Sequence, residues 1–160
     1  MPREIPVNQV MTVDVVTFAP GDGAYEAMER MIEAGVDGAP VVDEGGTVVG
    51  MLSTSDLIVQ ETKLHFPTVL SILGATFELP GEKRQFEEDL RKSLGSTVAE
   101  VMQADPIVIA PEGSIEEAAT LMHEHDISRL PVVGEAGLVG IIARLDILRA
   151  IISADRSAER

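Results

Sequence analysis

Within 160 residues, 45% of them hydrophobic, there is room for one domain or for two half-domains that share a core. Twelve Lys and Arg against 27 Asp and Glu give a formal net charge of −15, which argues against a nucleic-acid surface built from clustered cations. The absence of Cys excludes disulfides, thiolate metal sites and cysteine nucleophiles, and 3% aromatic content leaves the core to Val, Ile, Leu, Ala and Met.

The stretch Met1-Pro2-Arg3-Glu4 is not a basic region followed by an apolar core, so no signal peptide is expected. No apolar run approaches the ~18 residues of a membrane span, and the lack of Cys fits a reducing, cytoplasmic setting. Asp14 to Phe18 is a β-branched run closed by Ala19-Pro20, and Gly21-Asp22-Gly23 is a turn. Residues 24–34 have helical spacing, with Ala24, Met28, Met31 and Ile32 on one face and Gly35 as the stop. Residues 39–42 and 47–52 read as two strands around Asp43-Glu44-Gly45-Gly46. Ser53, Thr54, Ser55 and Asp56 offer N-caps for a helix through Leu57 and Ile58.

Residues 60–97 have a different character. Phe66-Pro67-Thr68 precedes the apolar run Val69 to Gly74, and the charged stretch Glu82 to Leu94 carries Phe86, Leu90 and Leu94 as a narrow helical stripe. This segment is either a crossover packed on the core or an interaction and dimer element. Beyond it, Ile107 to Ile109 is a strand, and Ser114-Ile115-Glu116-Glu117 is a capping box opening a helix to about His125. Leu130 to Val133 and Leu138 to Ile142 are strands, residues 145–153 the last helix, and residues 154–160 a polar, frayed tail.

The second half of this series repeats the first. Val7-Asn8-Gln9-Val10-Met11 returns 91 positions later as Val98-Ala99-Glu100-Val101-Met102. The same offset carries Asp14 to Asp105, Ala19-Pro20 to Ala110-Pro111, Met31 to Met122 and Pro40-Val41-Val42 to Pro131-Val132-Val133. After the loss of one residue, Gly50 meets Gly140 and Asp56 meets Asp146. Two units of about 50 residues, each too small for a good core alone, are expected to pack as a pseudo-twofold pair with two related but non-identical clefts between them. The repeats are residues 1–60 and 98–153, joined by a helical linker over 61–97.

These residues resemble the cystathionine β-synthase (CBS) domain pair, or Bateman module, of the small stand-alone bacterial type. Both halves show Val-x-x-Val-Met, Ala-Pro after the first strand, and an apolar-Pro-Val-Val strand. Gly50-Met51-Leu52-Ser53-Thr54-Ser55-Asp56 fits the family's glycine–hydroxyl–aspartate pattern in full, and Gly140-Ile141-Ile142-Ala143-Arg144-Leu145-Asp146 fits it except that Ala143 replaces the hydroxyl. The resemblance implies an α/β (α+β) fold of tandem strand-helix-strand-strand-helix repeats. It implies non-catalytic binding of adenosine-containing ligands (AMP, ADP, ATP or S-adenosylmethionine) in the clefts, with no required cofactor.

The chemistry of single residues leaves two readings open at several places. A helix N-terminus favours anions, and a carboxylate there can accept from two ribose hydroxyls, so Ser53 and Asp56 suit a ribose. Equally, Ser53 or Ser55 caps the helix and Asp56 complements its dipole. Asp146 can hold a second ribose and Arg144 a phosphate, or that cleft is vestigial. By resemblance Arg129 meets phosphate; otherwise it pairs with one of the many acidic residues. Asp37 would repel phosphate and Gly38 lacks a side chain, so the two clefts are expected to differ. Adenine slots implied by the family are Val16, Thr17, Ala39 and Pro40, and Ile107, Val108, Leu130 and Pro131, with packing the competing role. The expected ligand-contacting set is therefore Thr17, Gly38, Ala39, Pro40, Ser53, Ser55, Asp56, Val108, Arg129, Leu130, Pro131, Arg144 and Asp146.

No metal site is expected: His123 and His125 sit two apart on a helix and so face apart, and His65 is isolated. No Ser/His/Asp constellation, P-loop or dinucleotide fingerprint is present in the sequence. The expected function is a regulatory adenosyl-ligand sensor, a homodimer by resemblance, acting on an unidentified protein client without nucleic acid or membrane. The alternative is a dimerisation or adaptor module that binds no nucleotide; an enzyme is a distant third.

Overall fold

The computed structural model describes residues 2–55 and 97–160, and the expected elements over 56–96 lie outside the described residues. After two 3-10 turns, Pro2–Glu4 and Val7–Gln9, comes helix α1 (Ala24–Ala34), then strands β1 (Gly38–Val42) and β2 (Val48–Ser53). Thr54 and Ser55 are helical. The second repeat contributes helix α2 (Val98–Val101), strand β3 (Gln103–Ala104), helix α3 (Ile115–Glu124), strands β4 (Arg129–Gly134) and β5 (Gly137–Ala143), and helix α4 (Arg144–Ala158).

Helix α1 has the bounds its spacing predicts, and Gly35 ends it in the left-handed region at φ +67°. Its buried stripe is Ala24, Ala27 and Met31, with Met28 partly buried. Ile32, expected on that face, is 67% exposed, because it lies one step round the helix from Met31. Helix α3 is capped by Ser114, whose Oγ accepts from the Glu117 N–H at 3.1 Å. The last helix continues to Ala158 rather than fraying from residue 154, since Ala154 to Ala158 contains neither Gly nor Pro to stop it.

The expected first strand of each repeat shrinks to a single parallel bridge, Phe18 to Val41 and Ile109 to Val132. Phe18 N–H donates to Pro40 O, and Val42 N–H to Phe18 O; Ile109 does the same with Pro131 and Val133. The next ladder bond would need an N–H from Pro40 or Pro131, and proline has none. The backbone before Phe18 and before Ile109 is thus released from the sheet.

Each hairpin is antiparallel, with Ala39 opposite Leu52 and Leu130 opposite Ile142. What completes each hairpin comes from the other repeat. Strand β3 of the second repeat pairs with β2 of the first, Gly50 opposite Ala104; Thr12 of the first repeat bridges Ile141 of the second. The leading segments dock in equivalent ways. Val7 and Asn8 N–H donate to Gly113 O and Pro111 O at 2.7 and 3.0 Å, and Val98 and Ala99 N–H to Asp22 O and Pro20 O at 2.8 and 3.0 Å. The apolar cores follow the same exchange. One contains Phe18, Ala27, Met31, Ala39, Val41 and Leu52 with Val98 and Val101; the other contains Ile109, Ile115, Met122, Leu130, Val132 and Ile142 with Val7.

The crossing leaves no room for a side chain at two strand positions. A Cβ on Gly140 would stand 2.8 Å from Thr12 O and 2.6 Å from Met11 Sδ, and one on Gly50 would stand 2.9 Å from Gln103 O. Gly140→Ala is therefore expected to lower stability by roughly 1–3 kcal/mol, read as a lower urea midpoint. An unchanged midpoint would show that the leading segment is not held against β5.

Candidate functional site

Two clefts lie where the exchanged segments meet the hairpins. The first, of about 510 Å³, is walled by Met51, Ser53, Thr54 and Ser55 at the end of β2, by Gln103 to Ile107 of the other repeat, and by His125 to Arg129 before β4. The second, of about 380 Å³, is walled by Ile141 and Ala143 to Asp146, by Thr12 and Asp14 to Val16, and by Gly35 to Gly38. The repeat offset carries one set of walls onto the other. Each cleft therefore takes the strand-to-helix junction of one repeat and the leading segment of the other.

The junctions are held alike. Thr54 N–H donates to Asp37 O at 3.0 Å, and Arg144 N–H to Ser128 O at 3.1 Å. In the first cleft, Ser53 Oγ lies 3.1 Å from Ser55 Oγ. In the second, Asp146 Oδ2 accepts from the Ala143 N–H at 2.8 Å, half of a capping box whose other half fails because Ala143 has no side-chain oxygen. Among the described residues Asp146 Oδ1 has no partner. Arg144 Nη2 donates to Ile127 O at 3.2 Å.

Charge separates the two sites. The described lining of the first cleft includes Asp37, Asp105, Asp126, His125 and Arg129; that of the second includes Asp14, Asp37 and Asp146 with Arg129, Arg144 and Arg149. Asp126 is the counterpart of Gly35 and holds the same left-handed helix stop, at φ +51°. Among the described residues no group of three His, Cys, Asp or Glu is placed to hold a metal ion, and no helix is long and apolar enough to cross a membrane.

The sequence profile of the CBS domain matches residues 7–60 and 98–153. The chain belongs to the CBS domain family. It is 30% identical to protein MJ1426 of Methanocaldococcus jannaschii over 91% of its own length and 90% of that protein's. It is 32% identical to the chloroplastic CBS domain-containing protein CBSX2 of Arabidopsis thaliana over 88% of its length, spanning 60% of the plant protein. Among solved structures, the CBS domain of a CBS domain-containing membrane protein from Sphaerobacter thermophilus superposes with a TM-score of 0.70 at 30% identity, covering 92% of this chain and 88% of that one. A crystal structure of CBSX2 in complex with AMP superposes with a TM-score of 0.70 at 26% identity, covering 94% of this chain and 98% of that one.

In this CBS pair Ser53, Ser55 and Arg129 line the first cleft, and Gly38, Arg129, Arg144 and Asp146 the second. Asp56 lies outside the described residues. Val16 and Ile107 each line one cleft, but Thr17 and Val108 line neither. They occupy the alternate positions of the released backbone, and Val108, 41% exposed, borders a separate hollow near the hairpin turns. Ala39 and Leu130 are fully buried core residues, and Pro40 and Pro131 are buried as well. Arg129 pairs with Asp37 instead of standing open to an anion.

No chemical motif marks Gln103, Ala104, Asp105 and Pro106, or Thr12, Val15 and Asp126, as site residues, yet all line the clefts. The one available signal was the repeated leading segment, whose partner is the opposite repeat. Because Asp146 caps α4, Asp146→Ala is expected to destabilise the CBS pair by about 1 kcal/mol with no ligand added, with Asp146→Asn recovering most of it. Equal urea midpoints for all three chains would remove the capping role.

Proposed function

We propose that the protein is a non-catalytic, cytoplasmic regulatory module that binds an adenosyl ligand (AMP, ADP, ATP or S-adenosylmethionine) in its inter-repeat clefts and changes its association with itself or a protein client. The observation that carries this reading is the pair of equivalent clefts, each assembled from both repeats and each headed by a strand-to-helix junction; in sequence Asp56 follows the first junction and Asp146 the second. The likeness to CBSX2, whose crystal structure contains AMP, supports an adenosyl ligand. Asp56 with Ser53 would hold ribose in the first cleft, and Asp146 in the second; Arg144, beside Arg149, would meet phosphate. A ligand touching both repeats shifts the balance between packings in proportion to its differential affinity for them. Leu145, Leu148 and Ile152, 61%, 53% and 52% exposed, form an apolar stripe along α4 that supports self-association as a homodimer.

A second reading, an adaptor that binds no nucleotide, is favoured by the Arg129–Asp37 pair and by Ala143, which remove a phosphate partner and a hydroxyl. Calorimetric titration with the four ligands separates the two. Saturable binding that Asp56→Ala weakens by roughly 1–3 kcal/mol is expected. No heat with any ligand, and a melting temperature unmoved by each, favours the adaptor.

A further inference from the structure

Among the described residues, Asp37 and Arg129 are the charged side chains common to both clefts. Arg129 Nη2 is paired with Asp37 Oδ1, and the arginine lies over Gly38, where any Cβ would collide with its guanidinium. The repeat offset makes residue 38 the counterpart of Arg129 and Asp37 the counterpart of Ser128. A strictly symmetric pair would place a guanidinium on each side of the pseudo-twofold axis. Here one guanidinium borders both clefts, with a carboxylate on it.

The two partners are bound unequally. The Arg129 side chain is 18% exposed and so is fixed in place by its surroundings; the Asp37 side chain is 74% exposed and swings into water at little cost. Arginine offers five donors in a planar fork that matches a phosphate two bonds at a time. A phosphate in either cleft would use this guanidinium, and Asp37 must give way first.

We infer that Asp37 is a resident competitor for phosphate on Arg129, and that it sets this chain's preference between phosphorylated and unphosphorylated adenosyl ligands. The inference rests on the adenosyl-binding reading above. Asp37 contacts the ligand only through this competition, so its removal acts on the phosphate and not on the nucleoside. Its backbone carbonyl, which accepts from Thr54 N–H, is untouched by a side-chain change.

The test is calorimetric titration of AMP and of adenosine into the native chain, Asp37→Asn, Arg129→Gln and the double variant. Asp37→Asn is expected to tighten AMP by about two- to fivefold, the effect of an exposed charge pair, and to leave adenosine unchanged. The gain should vanish in the Arg129→Gln background. An AMP affinity unaltered by Asp37→Asn overturns the inference while leaving adenosyl binding intact. So does a gain shared by adenosine, or one that persists without Arg129, since either would reflect a general field. If neither ligand binds any of the four chains, this inference is overturned, and the four-ligand titration above decides separately whether the adenosyl-binding reading fails with it.

Discussion

Everything in this molecule depends on the exchange of leading segments between the repeats. Val7 is wholly buried in the second repeat's core, and Val98 in the first repeat's. The hydrogen bonds that dock them, to Gly113 and Pro111 on one side and to Asp22 and Pro20 on the other, satisfy backbone groups that would otherwise be lost on burial. Neither half-core is complete alone, so the repeats fold as a unit even though their apolar clusters are distinct. The glycines at 50 and 140 follow from the same crossing, because the partner's backbone occupies the space a side chain would need.

The clefts are a by-product of that crossing. Proline at 40 and 131 cuts the parallel ladder at Phe18 and Ile109, and the backbone released ahead of them turns toward the opposite hairpin to wall a cleft. A ligand in either site thus touches a strand-to-helix junction from one repeat and a leading segment from the other. On the proposed adenosyl-binding reading, occupancy would be coupled to how the repeats sit on each other. The asymmetry is chemical, not architectural. Arg144 and Arg149 give the second cleft the larger share of positive charge, while the described part of the first is edged by Asp37, Asp105 and Asp126.

Much of this is legible in local pattern. The repeat, helix α1 with its Gly35 stop, the Ser114 cap and both hairpins are written in short-range spacing, and the described structure follows them. The segment exchange is not, because a two-residue strand such as Gln103–Ala104 carries no periodicity of its own. The shortened first strands were readable in principle from the missing N–H of Pro40 and Pro131, a constraint that β-branched composition hides. Thr17 and Val108 stand outside the lining of the two clefts for the same reason, since residues placed by a full strand fall elsewhere when the strand is one bridge long. The pairing of Arg129 with Asp37 joins residues far apart in sequence and depends on Gly38 leaving room, so no local pattern announces it.

The most direct test is the map of backbone amide shifts when AMP is added to isotope-labelled protein. The account predicts that perturbed amides cluster at Thr54, Ser55 and Gln103 to Ile107, at Thr12 to Val16 and Ala143 to Asp146, or at one of these two sets. Shifts confined to the hairpin turns or to the exposed face of α4, or no shifts at saturating AMP, would contradict it.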